Sequence, residues 1–128
     1  NGVMIQEMVQ GGVECIIGVK DNGKFGMSVL LGTGGIFVEI FKDVSLRLAP
    51  VSLVEAREMI ESLKGRALLY GARGAAPADV DALADAIVKV SQLAASCADS
   101  ISEMDINPLL VLPEGKGVCA VDALVVCK

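Results

Sequence analysis

Glu103, Asp105 and Asn107 recur at every second position with Met104 and Ile106 between them, a period that in a β-strand separates an oxygen-bearing face from an apolar one. Leu109 to Leu112 continue the strand, Pro113-Glu114-Gly115-Lys116 carries turn chemistry, and Gly117 to Val126 reads as a second strand. The segment therefore predicts a β-hairpin. With Glu114 and Gly115 as a two-residue loop, Asn107 stands opposite Asp122, roughly 4.5–5.5 Å away. The same register sends Met104, Ile106, Cys119, Val121, Ala123 and Val125 to the other face, which becomes available for a core. A sparse carboxylate and amide pair suits magnesium, which takes one or two protein oxygens and otherwise keeps water and phosphate ligands. As strand chemistry alone, the same residues equally fit a solvated polar face.

Composition bounds what this hairpin belongs to. At 128 residues and 53% hydrophobic, the chain is one domain's worth of material and can bury a substantial core. One Tyr, three Phe and no Trp make that core aliphatic. A formal charge of −5 without a basic cluster argues against a nucleic-acid or anionic-membrane surface. No apolar run approaches the roughly 18 residues of a spanning helix, and the chain opens without a signal peptide, so a soluble, cytoplasmic protein is expected. Cys15, Cys97, Cys119 and Cys127 show no C-x-x-C pairing and occur without histidine. That predicts small buried thiols rather than a zinc site or a disulfide framework. The missing histidine also removes the usual triads and any His-based acid or base from this chain.

Along the chain, Val3 to Val9 and Val13 to Val19 read as strands, the second ending at the turn signal Asp21-Asn22-Gly23. Ser28 to Leu31 and Phe37 to Phe41 flank the loop Gly32-Thr33-Gly34-Gly35, and Leu46 to Leu48 is a short strand stopped by Pro50. Ser52 and Glu55 form a capping box for a helix carrying Val54, Met59, Ile60 and Leu63 toward a stop at Gly65. A longer helix begins near Pro77 and sets Val80, Leu83, Ile87, Val90, Ala94 and Cys97 on one apolar stripe. Strands outnumber helices and are mostly joined by short turns. The fold class expected is α+β, an antiparallel sheet covered on one face by two helices. The glycine loop fits either a plain tight turn or a cradle of backbone N–H groups for phosphate. Glu39 follows it, Asp43 and Arg47 lie four apart, and Arg73 stands between glycines, where an arginine is either solvated or paired with phosphate.

Gln6-Glu7-Met8-Val9, Gly12-Val13-Glu14, the glycine loop ending in Glu39, Asp43 to Pro50, Gly71-Ala72-Arg73-Gly74, Glu103 to Pro108 and Val121-Asp122-Ala123 occur in an order that closely resembles one family over essentially the whole chain. It is similar to the second lobe of the ATP-grasp domain of NDP-forming acyl-CoA synthetases, relatives of the succinyl-CoA synthetase β subunit. The resemblance implies that Glu7, Met8 and Val9 enclose the adenine and that Glu14 accepts from the ribose hydroxyls. It implies that Asn107 and Asp122 hold magnesium beside the phosphates of ATP or another nucleoside triphosphate, with Asp105 next to the ion and a phosphohistidine. Glu39 and Arg47, and with them Arg73, fall in the phosphoryl-transfer neighbourhood. Residues 1–128 would then be a fragment of a larger nucleotide-binding domain, inactive alone. Its partners would be a first ATP-grasp lobe, the CoA-binding and ligase domains, and a phosphorylated histidine located elsewhere. The same lobe also occurs in multidomain protein acetyltransferases, which keeps a non-catalytic regulatory or interaction role open as the alternative.

Overall fold

In β1, Val13–Asp21, the apolar residues Cys15, Ile17 and Val19 alternate toward a core, and the strand stops where Asp21 Oδ1 accepts from Gly23 N at 2.9 Å to open a tight turn. The computed structural model describes residues 12–34, 43–71, 74 and 76–128. The strands expected at Val3 to Val9 and Phe37 to Phe41 lie outside those residues. After the turn come β2, Met27–Thr33, and β3, Val44–Leu48, then helices α1, Leu53–Ser62, and α2, Val80–Ser96. The chain closes with β4, Ile101–Val111, β5, Val118–Ala120, and β6, Ala123–Cys127. Every pairing among the described residues is antiparallel, in the order β3-β2-β1-β4-β5, with β6 beside the first half of β4.

The two helices pack on one face of this sheet, as expected for the α+β class. Ala56, Met59, Ile60 and Leu63 from the α1 region and Leu83, Ala84, Ile87 and Ala94 from α2 meet Ile17, Val29, Leu31, Leu109 and Val111. The core is aliphatic, as composition predicted. Ser91 is buried among these residues because its Oγ accepts from Val51 N at 3.0 Å and donates to Val88 O at 2.7 Å. Its hydroxyl is therefore fully satisfied.

Several local expectations change. The capping box of Ser52 and Glu55 is present, but α1 ends at Ser62, where Leu63 turns to an extended conformation to reach the core. Val54 points to solvent, and Gly65 lies in the following turn, Lys64–Leu68, rather than at the helix stop. On α2 the stripe holds for Leu83, Ile87 and Ala94, while Val80, Val90 and Cys97 are half-buried. Asp79 caps the helix, accepting from Ala82 N at 3.2 Å. Of the four free cysteines only Cys15 is buried; Cys97 and Cys119 are half-buried and Cys127 is exposed. Burial, and after it the charge of Asp43, pushes the Cys15 thiol up to about 12. No helix among the described residues is long and apolar enough to cross a membrane.

Candidate functional site

The hairpin forms in the expected register: Leu110 faces Cys119, Ile106 faces Ala123 and Asp105 faces Leu124. Its turn is Pro113 to Lys116, with Lys116 N donating to Pro113 O at 2.8 Å. Gly117 to Val126 is nevertheless two strands rather than one, broken at Val121 and Asp122. The break lies opposite Pro108, which has no N–H to give to the ladder. Asn107 N donates to Asp122 O at 3.0 Å and Val121 N to Pro108 O at 3.0 Å, so Asn107 and Asp122 do face one another.

On its other side, β4 carries a bulge. Cys15 pairs with Leu109 and Ile17 with Ile106, leaving Asn107 and Pro108 together opposite Ile16. A bulge of this kind switches the alternation of a strand and re-aims the side chains beside it. Met104 is buried and Ile106 half-buried against the core, as expected, yet Leu109 and Val111, two and four residues beyond Asn107, are buried as well. Strict alternation would have put them on the polar face. Of the remaining residues assigned to the apolar face, Cys119 is half-buried, while Val121, Ala123 and Val125 stay exposed, since β5 and β6 lie on the outer side of β4.

Asp105, Asn107 and Asp122 line one hollow of about 210 Å³ with Ala123 and Leu124. Asp122 Oδ1 accepts from Ala123 N at 2.9 Å, which fixes the carboxylate and leaves its other oxygen available. Among the described residues no three His, Cys, Asp or Glu side chains cluster closely enough to hold a metal. Asn107 and Asp122 offer an amide oxygen and a carboxylate oxygen, with the Asp105 carboxylate also bordering the hollow, a donor set that fits magnesium and falls short of a calcium cage.

Asp105 also borders a larger depression of about 720 Å³ on the face of the sheet away from the helices, lined by Gly18, Lys20, Ser28, Leu30, Leu46, Arg47, Leu48 and Glu103 among others. Arg47 borders it from the edge strand β3, but its pairing with the buried Val29 puts it on the helix side of the sheet, where its Nη1 donates to Leu46 O at 2.9 Å. Glu14 is exposed on β1 and pairs with Leu110, three residues beyond Asn107 on β4. That offset is roughly 10 Å along a strand. Glu7, Met8, Val9, Glu39 and Arg73 lie outside the described residues.

The glycine loop is largely strand. Gly32 and Thr33 belong to β2, Thr33 N donates to Asp43 O at 3.2 Å, and Gly34 N donates to Glu14 O at 2.9 Å. The amides of Thr33 and Gly34 are therefore committed to the backbone and do not form a phosphate cradle. Asp43 does not pair with Arg47. It is buried and accepts from Lys64 N at 2.6 Å, Gly65 N at 2.7 Å and Thr33 Oγ1 at 3.2 Å, tying the ends of β2 and β3 to the turn after α1. Sequence reasoning missed this role; Gly65 was its signal, because a Cβ there would stand 2.9 Å from Thr33 Cγ2 and 3.1 Å from Asp43 Oδ2.

A single antiparallel sheet with helices on one face and an acid and amide pair at a bulge on the other defines the class of domain to which the comparisons point. The chain belongs to the ATP-grasp domain family, which matches residues 1–127. It is 46% identical over 127 residues to the β subunit of acetate–CoA ligase (ADP-forming) II of Pyrococcus furiosus, covering 99% of this chain and 54% of that subunit. It is 48% identical over 121 residues to the 4-hydroxybutyrate–CoA ligase (ADP-forming) of Nitrosopumilus maritimus, covering 94% of this chain and 17% of that protein. Among solved structures, the dinucleotide-forming acetyl-coenzyme A synthetase 1 of Ca. Korarchaeum cryptofilum matches with a TM-score of 0.89 and 41% identity, over 96% of this chain and 56% of that one. That structure is a complex with coenzyme A and Mg-AMPPCP, its phosphohistidine segment pointing towards the nucleotide binding site. The chain thus spans about half the length of the β-subunit relatives it matches.

Proposed function

We propose that residues 1–128 are the second lobe of an ATP-grasp domain in an ADP-forming acid–CoA ligase, and that this lobe holds a magnesium-bound nucleoside triphosphate for phosphorylation of a histidine outside the chain. The observation that carries this reading is the meeting of Asn107 and Asp122 across the hairpin, at the bulge, beside Asp105. The relatives supply the reaction class, since those reported above are CoA ligases rather than acetyltransferases.

Asn107 and Asp122 would hold the magnesium ion, whose chemistry is to neutralise charge on the phosphate oxygens. Glu14, roughly 10 Å away along the sheet, would accept hydrogen bonds from the ribose, a separation that an extended nucleoside triphosphate can bridge. Glu7, Met8 and Val9 would enclose the base. Asp105 would meet the incoming imidazole, with Arg47, Glu39 and Arg73 close to the transferring group. The terminal P–O bond breaks toward ADP as a P–N bond forms on the histidine. Such transfers are accelerated mainly by positioning and charge stabilisation, which is what these side chains offer. The phosphoryl group then activates a carboxylic acid for thioester formation with coenzyme A in the remaining domains.

The test uses the full-length protein. Asp122→Ala and Asn107→Ala should each slow magnesium-dependent phosphohistidine formation about 100-fold or more. Both side chains are exposed, so neither substitution opens a core cavity and the melting temperature should barely move. Near-normal phosphohistidine formation in either variant would show that the ion is held elsewhere.

A further inference from the structure

Gly18 occupies the middle of the sheet face away from the helices, between Leu30 on β2 and Asp105 on β4. A Cβ on Gly18 would stand 3.0 Å from Asp105 Oδ1, but 3.8 Å from Leu30 Cβ and 3.8 Å from Met104 O. The one tight contact is with the end of a side chain that is free to turn. The backbone lies at ordinary van der Waals distance. Gly18 is not in the left-handed region, so β1 does not itself require glycine there. Glycine in a strand interior weakens it and commonly marks a close approach by something else. Here what approaches is the Asp105 carboxylate, leaning over β1 into the notch that the missing Cβ leaves. Asp105 borders both the hollow it shares with Asn107 and Asp122 and the wider depression on the open face, and its Oδ1 lies on the Gly18 side.

We propose that Gly18 is a positioning residue: by leaving this notch open it turns the Asp105 carboxylate away from the Asn107 and Asp122 pair, toward β1 and the wider depression, where the proposed phosphoryl acceptor would approach. The proposal rests on the reading of Asp105 given above. With alanine at position 18 the carboxylate rotates back toward Asn107 and Asp122. There it adds a third oxygen beside the cation and no longer meets the imidazole.

The experiment is a double-mutant cycle in the full-length protein with Gly18→Ala, Asp105→Ala and the pair combined. It reads single-turnover phosphohistidine formation, the half-saturating magnesium concentration and the melting temperature. Gly18→Ala should slow transfer about 10- to 100-fold, the scale of a small misplacement of a reacting group. It should also lower the half-saturating magnesium concentration and leave the melting temperature unchanged or slightly raised. Neither effect should appear when it is added to Asp105→Ala, because the group through which Gly18 acts is gone. Wild-type transfer by Gly18→Ala beside an impaired Asp105→Ala would overturn the proposal. So would a further slowing in the double variant, or a marked fall in melting temperature, which would mean the backbone and not the carboxylate absorbs the Cβ. Wild-type transfer by Asp105→Ala is a different result, removing the role assigned to Asp105 and the Gly18 proposal with it.

Discussion

Replacing Asp43 should destabilise this fold more than replacing any carboxylate on the open face of the sheet. Asp43 is 4% exposed and accepts three hydrogen bonds, from Lys64 N at 2.6 Å, Gly65 N at 2.7 Å and Thr33 Oγ1 at 3.2 Å. Hydrogen bonds to a charged acceptor contribute roughly 1.5–3 kcal/mol each, and the longer one to Thr33 about 1. The turn carrying Lys64 and Gly65 is only partly buried, so water recovers some of the loss after truncation. Asp43→Ala should then cost about 3–5 kcal/mol, a large share of a domain stability of about 5–15 kcal/mol. For a domain of this size that lowers the melting temperature by roughly 10–20 °C. Asp43→Asn keeps one carbonyl oxygen but turns an NH2 toward one of the two backbone donors, so it should lose about half as much. Thermal and urea unfolding followed by circular dichroism measure both variants. A companion change, Gly65→Ala, pushes a Cβ against Thr33 and Asp43 at 2.9 and 3.1 Å, and its cost should fail to add to that of Asp43→Ala. If Asp43→Asn unfolds within about 0.5 kcal/mol of the wild type, smaller than even the weakest of the three bonds, the clamp has no energetic weight and this reasoning is wrong.

Two further outcomes follow from the ionisable groups. Alkylation of the folded protein at mildly alkaline pH, read by mass spectrometry, should label Cys127 first and leave Cys15 intact until unfolding, because Cys15 is fully buried and its thiol is pushed up to about 12. Backbone hydrogen bonds from Gly117, Ala82 and Gly115 hold the Asp79 carboxyl below its usual value, so its contribution is present above the ordinary carboxylate range and is lost as pH falls through the lowered value. Asp79→Asn should therefore narrow its stability gap to the wild type as the pH of urea titrations is lowered below about 4, and a pH-independent gap would show that the charge plays no part.

The sheet, both helices and the register of the terminal hairpin were legible because each rests on local chemistry. Period-two runs, a capping box and a turn at Glu114 and Gly115 all agree there. What the sequence did not disclose arises between strands. The bulge at Asn107 and Pro108 is visible only against β1, through Ile16, and it reverses the faces of Leu109 and Val111. The alternation seen from Glu103 to Asn107 gave no sign that it would stop. Gly32-Thr33-Gly34 looked like a loop because glycine is a turn residue, but in the sheet Gly32 lies opposite Ile16 and Val44, while Gly34 packs on Glu14, where a Cβ would come within 2.6 Å of the Glu14 Cβ. Asp43 and Arg47 stood out in the sequence only as two charges four residues apart. In a strand, however, residues four apart lie roughly 13 Å from each other, and the partners of Asp43 come from the turn after α1 instead.

Some carboxylates of this chain hold its fold together, and others on the open face of the sheet do not. Asp21, Asp43 and Asp79 each accept backbone N–H groups and hold turns or caps in place. Glu14, Glu103 and Asp105 make no side-chain hydrogen bond or ion pair among the described residues, and Asp122 commits one oxygen to Ala123 N. By strand pairing, Glu14, Glu103 and Asp105 all fall on the sheet face opposite the helices, with Lys20 directly across from Glu103. Asp105 and Asp122 border one hollow, where a bound cation would offset the repulsion between two carboxylates. Substitutions on that face should therefore change ligand binding with little effect on unfolding, whereas substitutions at Asp43 or Asp79 should do the reverse. Because the core lies on one side of the sheet and the proposed site on the other, ligand binding and stability should respond to different substitutions in this domain.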